Sequence, residues 1–205
     1  MDYRTYLISR IFILFSLFFL FAACAKPYHL SVDYHLPEEP AQLAGQKVSL
    51  VVEDQREDKT MLSESAQKEF DLWDGTYALA LNETPPADPV ETVDLTGLFH
   101  KAMQKRLEAM QVNVVDAPLD GIPALIITLE KVNIDLKGKT WHSQITYKAQ
   151  LSRDSSKIAR ETVNGQAERA KIMGMGGGKK LAGELFTDVI NELDIANLFD
   201  NAGLL

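Results

Sequence analysis

Apolar and polar residues alternate along three stretches of the chain, and each stretch predicts a β-strand. The stretches are residues 47–54, 124–136 and 140–152. Within the second stretch the apolar positions change phase, from Leu125, Ile127 and Leu129 to Val132, Ile134 and Leu136. Because successive side chains of a strand point to opposite faces, this change predicts a β-bulge near residues 130–131.

Weaker patterns predict further strands and one irregular segment. Residues 76–81 fit a short edge strand, residues 112–115 a short strand, and residues 157–170 a polar edge strand or ribbon. Residues 60–93 are otherwise irregular. A connection of this length inside a domain is unusual unless it binds something or has structure of its own.

Two stretches place apolar residues at spacings of three and four and predict amphipathic helices. The first is residues 94–110, which Asp94 or Thr96 can cap through a side-chain oxygen. The second is residues 179–193. Strands that run together with helices set apart predict an α+β fold of two layers, with a mostly antiparallel sheet of about four or five strands and the two main helices on one face.

Residues 1–23 have the three zones of a secretory signal peptide, namely arginines, an apolar run over residues 11–21 and small residues at the end. The apolar run is shorter than the roughly 18 residues that a membrane-spanning helix needs. The ending Ala22-Ala23-Cys24 resembles the lipobox of bacterial lipoproteins, which implies cleavage before Cys24 and lipidation of its thiol. The alternative is an uncleaved N-terminal anchor helix.

The residues from the cysteine onward predict where the protein is held. Acyl chains such as palmitate on Cys24 would anchor it, since two chains suffice for stable membrane binding. Ala25 at the next position resembles the Gram-negative sorting pattern for the outer membrane, which implies a protein that faces the periplasm. Residues 24–46 contain three prolines and little periodicity, and they predict a lipidated cysteine on an extended tether. Residues 47–205 then form a single periplasmic domain.

The acidic composition narrows the range of partners. The chain has 21 Lys+Arg and 29 Asp+Glu residues, and removal of residues 1–23 takes away two arginines and one aspartate, which leaves 19 basic and 28 acidic residues and a net charge of −9. This balance argues against a nucleic-acid partner and against electrostatic adhesion to anionic lipid. We therefore expect the acyl chains to do the anchoring.

The reactive residue types form no recognisable catalytic or metal site in the sequence. The only cysteine is assigned to the anchor, no Gly-x-Ser-x-Gly motif is present, and the four histidines share no metal-ligand spacing. We therefore expect no enzyme activity, no metal site and no cofactor.

The motif Asp54-Gln55-Arg56-x-Asp58 follows the first predicted strand and is the first candidate site, for binding a partner. Arg56 could present a bidentate fork to a carboxylate or a phosphate of that partner. Alternatively, Arg56 pairs with a neighbouring acid and the aspartates cap the turn. The second, internal interpretation is favoured.

Gly174, Gly176, Gly177 and Gly178 precede the last predicted helix and form the second candidate, a flexible loop. Glycine amides before a helix can hold anions. The phosphate-loop pattern is not met, however, because it needs Ser or Thr where Lys180 stands. We therefore interpret this segment as a hinge or adaptable loop.

Aromatic residues offer a third candidate. Trp73, Trp141 and Tyr147 could line a ligand groove. Aromatic residues that alternate along a strand are more typical of a core, which is the favoured interpretation.

Several of these segments together resemble the YajG family of Gram-negative lipoproteins. They are strand 47–54 with the motif that follows it, the helix that ends near Met110, the strand with Leu125-Ile126-Ile127, the last helix over residues 185–190, and the N-terminal Ala23-Cys24-Ala25-Lys26-Pro27. The resemblance spans nearly the whole chain and implies a lipid-anchored outer-membrane protein, in a family without an established function. The general layout also resembles auxiliary lipoproteins of envelope transport systems. Residues 60–93 are longer here than in the short family members.

Two functional hypotheses follow. The first is a non-enzymatic docking module that binds a protein partner in cell-envelope assembly or maintenance. The alternative is an auxiliary component of an envelope transport system that binds a lipid or a glycan in a cavity between sheet and helices. The sequence points to no specific small-molecule ligand.

Overall fold

The computed structural model describes residues 28–38, 41–70, 72, 77–82, 92–115, 120–154, 156–171 and 177–205. In chain order the strands are β1 (Tyr28–Asp33), β2 (Lys47–Asp54), β3 (Tyr77–Asn82), β4 (Thr92–Val93), β5 (Asn113–Val115), β6 (Ala124–Lys137), β7 (Thr140–Arg153) and β8 (Ser156–Ala170). The helices are α1 (Glu64–Glu69), α2 (Leu95–Ala109), α3 (Gly177–Glu192) and α4 (Ile195–Asn201). The fold class is α+β, as predicted.

Five strands form the main sheet, in the order β5-β2-β6-β7-β8. The last three are an antiparallel meander joined by tight turns. Strand β2 is instead parallel to both of its neighbours, β5 and β6, because the chain crosses back through α2 before it enters β5. The sheet is therefore mixed, where the sequence predicted a mostly antiparallel one.

The predicted β-bulge lies where β6 changes phase. Leu129 pairs with Tyr147 and Lys131 pairs with Thr146, so Glu130 is the extra residue. The apolar side chains before and after it are all buried, namely Leu125, Ile127, Leu129, Val132 and Ile134. The bulge thus keeps the apolar side chains of both halves of β6 on one face.

Both long helices pack on that face of the main sheet. Phe99 of α2 makes an edge-to-face contact with Tyr147 of β7, with ring centroids 5.8 Å apart. The same ring contacts Phe186 of α3 edge to face at 5.0 Å. Helices α2 and α3 therefore share one layer, as predicted.

Two side chains cap the C-terminal end of α3 from neighbouring elements. The Tyr147 hydroxyl donates to the backbone O of Val189 at 2.7 Å, and Nη1 of the buried Arg106 donates to the backbone O of Ile190 at 2.5 Å. The last carbonyl groups of a helix have no partner within it and carry partial negative charge. Arg106 therefore ties α2 to α3.

A second, smaller sheet has the order β1-β3-β4, with β1 parallel and β4 antiparallel to β3. The tether prediction is wrong for residues 28–33, because β1 pairs along its whole length with β3 and buries Leu30 and Val32. Strand β3, predicted at an edge, is the central strand of this sheet. The alternation of Tyr28, Leu30, Val32 and Tyr34 with polar residues is a strand signal that the tether prediction missed. That alternation does not show, however, that β1 pairs with the distant β3.

Residues 60–93 have structure of their own. They hold α1, β3 and β4, and Leu62 forms an isolated parallel bridge with Ile134 of β6. Ser63 caps α1, since its Oγ accepts a hydrogen bond from the backbone N of Ala66 at 3.2 Å. This segment therefore supplies two strands of the small sheet and joins the main sheet at Ile134.

Candidate functional site

The turn after β2 lies against the β-bulge of β6. The backbone N of Gln55 donates to the backbone O of Leu129 at 3.0 Å, and Arg56 Nη1 donates to the backbone O of Val132 at 3.4 Å. The charged motif and the bulge, predicted separately, thus form one site. Bulges recur next to active sites because they redirect side chains.

Asp54 holds Arg56 inside the turn. Arg56 Nε lies 3.0 Å from Asp54 Oδ1 and Nη2 lies 2.9 Å from Asp54 Oδ2, which is a bidentate pair. The Arg56 backbone N also donates to Asp54 Oδ1 at 3.1 Å. Only 6% of the Arg56 side chain is exposed. The geometry matches the internal interpretation of the motif, and the Arg56 fork does not face a partner.

The same contacts keep the carboxylates of the turn ionised. Hydrogen bonds from Arg56 hold the pKa of Asp54 well below its usual range, with a further contribution from Lys59. Lys59 Nζ lies 3.2 Å from Asp54 Oδ1. The pKa of Asp58 is also lowered, because Thr60 donates its backbone N–H to Asp58 Oδ1 at 2.8 Å.

An open groove of about 410 Å³ lies between the turn and the bulge, and we call it the bulge groove. Its lining residues are Gln55, Glu57, Asp58, Thr60, Glu130, Lys131, Val132 and Asn133. Glu130 forms an ion pair with Lys148 of β7. The groove is therefore polar, and it carries both signs of charge.

The structure divides the predicted partner-binding residues into two groups. Gln55 and Asp58 line the bulge groove, whereas Asp54 and Arg56 hold the turn in place. The bulge residues of the groove were not predicted as part of a site. The phase change signalled the bulge itself, but no local signal shows that it lies beside the turn.

The two loop glycines that the structure describes are helical. Helix α3 begins at Gly177, so the flexible-loop prediction is wrong for Gly177 and Gly178. A Cβ on Gly178 would lie 2.8 Å from ring atoms of Trp141 and 2.9 Å from Cζ of Phe70. These two rings stack with centroids 5.1 Å apart. Gly178 therefore serves close packing rather than flexibility.

The two aromatic residues on β7 belong to the core, as the favoured interpretation predicted. Trp141 is 2% exposed and Tyr147 is fully buried. An apolar cavity of about 30 Å³ lies between the two sheets, α2 and α3, lined in part by Leu30, Ile145 and Ala182. A cavity of about 150 Å³ holds benzene, so this one is too small for an acyl chain.

Neither a metal-binding cluster nor a membrane-spanning helix occurs in the ranges that the structure describes. Within them, no cluster of three or more His, Cys, Asp or Glu side chains could bind a metal ion. None of the helices in those ranges combines the length and apolar character needed to cross a bilayer. Cys24, Trp73, Gly174 and Gly176 lie outside these ranges, so the predictions for them stay predictions.

Comparison with known proteins gives similarity of fold. No family model and no curated protein matches the sequence. A DUF330 protein from Xanthomonas campestris is similar in structure, with a TM-score of 0.51 at 13% identity over 87% of this chain and 96% of that chain. This likeness shows the fold alone, and the YajG resemblance stays a prediction.

Two lipoproteins are also similar at lower scores. A minor lipoprotein from Acinetobacter baumannii has a TM-score of 0.39 at 13% identity, over 82% of this chain and 94% of that chain. Rare lipoprotein B from Shewanella oneidensis has a TM-score of 0.37 at 10% identity, over 76% of this chain and 98% of that chain. These scores are too low to support an argument.

Proposed function

We propose that this protein is a lipid-anchored, non-enzymatic component of the bacterial cell envelope that docks a protein partner in the bulge groove. The outer membrane, with the domain in the periplasm, is the proposed location. The observation that supports docking is the groove itself, which has a volume of about 410 Å³, is lined mostly by polar residues and is formed by the turn and the bulge.

The groove needs little ordering before it binds. Its turn is fixed by the buried Arg56 and its bulge belongs to β6, a central strand of the main sheet. Binding costs less when the surface is already in its bound shape. A preformed groove therefore suits a docking role.

The charges of the groove indicate the chemistry of the partner. Glu57 and Asp58 are exposed on the turn side, and Lys131 is exposed on the bulge side. Glu130 is already paired with Lys148. A partner segment with Arg or Lys side chains opposite the turn fits this pattern, because complementary charge steers association and fixes register.

The alternative, a lipid- or glycan-binding transport component, calls for a different site. A glycan could use the polar bulge groove, whereas a lipid would require the cavity of about 30 Å³ to enlarge. Native mass spectrometry of the purified protein separates the two hypotheses. A co-purifying small ligand would favour the alternative, and the mass of the protein alone would favour docking.

In-cell photocrosslinking tests the docking site directly. A photoreactive amino acid at Asn133, in the bulge groove, should give a discrete protein adduct, and one at the exposed Lys157 of β8 should not. The substitution Glu57→Lys should lower the adduct yield from Asn133. Equal adducts from both probes, or a yield insensitive to Glu57→Lys, would contradict the proposal.

The lipid anchor has its own test. Cys24→Ser should abolish metabolic labelling with a fatty acid and leave the unprocessed precursor. Labelling that persists in this variant would show that the anchor is not on Cys24.

A further inference from the structure

The first described residue of the chain lies beside the beginning of α3. Leu30 and Val32 of β1 line the same cavity as Ala182 of α3. Further along, Tyr34 OH donates to Asn191 Oδ1 at 3.0 Å. Strand β1 and helix α3 therefore run in the same direction, which places the start of β1 at the N-terminal end of α3.

Basic side chains are concentrated at this end of the domain. The backbone N of Lys171 donates to the backbone O of Lys139 at 2.7 Å, so the end of β8 adjoins the β6–β7 hairpin. A Cβ on Gly177 would lie 4.0 Å from Cδ of Arg169. The residues that we call the basic end are Lys137, Lys139, Arg169, Lys171, Lys179 and Lys180.

Acidic residues at this end form ion pairs with several of these cations. Glu69 pairs with Lys171, and Glu184 lies against both Arg169 and Lys180. Asp135 lies 3.7 Å from Lys137, and Glu168, next to Arg169 in β8, lies 2.9 Å from His142. The side chains of Lys137 and Lys180 are nevertheless 72% and 71% exposed. Their ammonium groups can therefore contact a second surface without breaking the fold.

The length of chain before β1 limits how far this end can be from a lipid anchor. Cys24 precedes Tyr28 by four residues, and four residues span at most about 14 Å however they are arranged. The net charge of −9 expected for the processed chain averages over the whole molecule. The electrostatic attraction to a membrane is determined mainly by the charges within about one Debye length of its surface, roughly 8–10 Å, because salt screens those that lie farther away.

We infer that the basic end of the domain rests on the anionic lipid headgroups of the membrane that holds Cys24. This inference rests on the proposed lipid anchor. It replaces the expectation that the protein avoids anionic lipid, because the basic end is the part that the short link holds at the bilayer. Each basic side chain near such a surface raises the docked population roughly fivefold.

The test uses the mature lipidated protein in phosphatidylcholine vesicles with or without phosphatidylglycerol. Lys139→Cys carries a fluorophore at the basic end, and Lys157→Cys carries it at the far end of the meander, roughly 45 Å away along the 14 residues of β7. A quencher on the lipid headgroups should quench the first label and not the second. Quenching should require phosphatidylglycerol and fall at high salt.

Charge reversal completes the design. Lys137→Glu with Lys180→Glu should lower the quenching several-fold, whereas Arg153→Glu with Arg160→Glu changes the net charge equally at the other end and should leave the quenching unchanged.

Flotation with the vesicles reports the anchor separately. Protein that floats without quenching at residue 139, or with quenching independent of salt and phosphatidylglycerol, would overturn the inference and leave the anchor standing. Protein that does not float would overturn the anchor and the inference together.

Discussion

Arg56 carries its charge into a site that is almost closed to water, and Asp54 makes this possible. A buried guanidinium is costly unless it is paired and hydrogen-bonded. Asp54 supplies both oxygens, and Val132 of the bulge supplies a backbone carbonyl. The same hydrogen bonds from Arg56 lower the pKa of Asp54 in the folded protein. The contribution of this ion pair to stability is complete above the pKa of Asp54 in the unfolded chain, about 3.9. It is lost progressively as the pH falls from there towards the lower pKa of Asp54 in the folded protein.

The substitution Asp54→Asn should therefore destabilise the protein in a pH-dependent way. We expect the free energy of unfolding at pH 7 to fall by about 2 kcal/mol, because the buried Arg56 loses a charged acceptor. The difference from the unmodified protein should shrink below pH 4, because the unfolded chain then binds a proton at Asp54 while Arg56 keeps Asp54 ionised in the folded protein. Urea unfolding at pH 7 and pH 3 measures both effects. Glu57→Gln on the exposed side of the turn is the control, and a difference that does not change with pH would contradict this account.

Ser49 of β2 presents the opposite case, a buried polar group without a partner. Its side chain is fully buried, and Oγ has no hydrogen-bond partner among the described residues. Ser49→Ala should raise the free energy of unfolding by about 1 kcal/mol, because an unpaired buried hydroxyl is unfavourable. Ser152→Ala is the matched control, since Ser152 Oγ accepts a hydrogen bond from Gln150 Nε2 at 2.8 Å. Denaturant unfolding of both variants measures the contrast, and a loss of stability in Ser49→Ala would show a hidden partner.

At the scale of residues, the sequence favoured an internal Arg56 paired with a neighbouring acid, as the structure has it, but it did not show which distant residue Arg56 contacts. Arg56 is internal because the carbonyl of Val132 lies beside it, 76 residues further along the chain. That contact depends on the parallel pairing of β2 with β6. A local pattern carries no information about such a pairing, so the groove formed by these two segments was not predicted.

At the scale of elements, α3 approaches β8 so closely that one position tolerates no side chain. A Cβ on Gly165 would lie 2.1 Å from Val189 Cγ1 and 2.9 Å from Leu185 Cδ1. Gly165→Ala should therefore lower the free energy of unfolding by about 1–3 kcal/mol through overpacking. Gln166→Ala, at the neighbouring exposed position, should have little effect. Thermal unfolding measures both changes.

The double variant Gly165→Ala with Val189→Ala tests whether the clash is the cause. Removal of the Val189 methyl groups makes room for the new Cβ, so the two substitutions together should cost less than the sum of their separate effects. Additive effects would mean that Gly165 matters for another reason, such as its backbone conformation.

Periodicity predicted the elements whose burial is regular. Strands β6 and β7 and helix α2 have one buried face each, and the phase change in β6 marks the bulge. Strand β2 alternates in sequence, although Val48, Ser49 and Leu50 are all buried. Glycine is less informative, because the same residue serves flexibility and close packing. Gly178 was interpreted as part of a loop, yet it makes room for Trp141 and Phe70.

At the scale of the whole molecule, the domain extends to the beginning of β1. Tyr34 packs edge to face on Phe186 of α3 with ring centroids 6.2 Å apart, and Leu43 is fully buried. The residues before Lys47 therefore supply apolar side chains to the core. Full burial of a Val or Leu side chain contributes about 1.5–3 kcal/mol. Three such residues, Leu30, Val32 and Leu43, then represent a large part of the 5–15 kcal/mol that typically stabilises a domain.

A chain that begins at Lys47 should consequently lose its cooperative unfolding transition or unfold at a much lower temperature. It lacks the strand that pairs with β3, and it uncovers the apolar side of α3 around Phe186. A chain that begins at Tyr28 keeps all of these contacts and should unfold like the mature protein. Circular dichroism on heating compares the two, and binding of a hydrophobic dye reports the uncovered surface. If both chains unfolded at the same temperature, β1 would be an accessory strand, and the short link between Cys24 and the folded domain would again become a long tether.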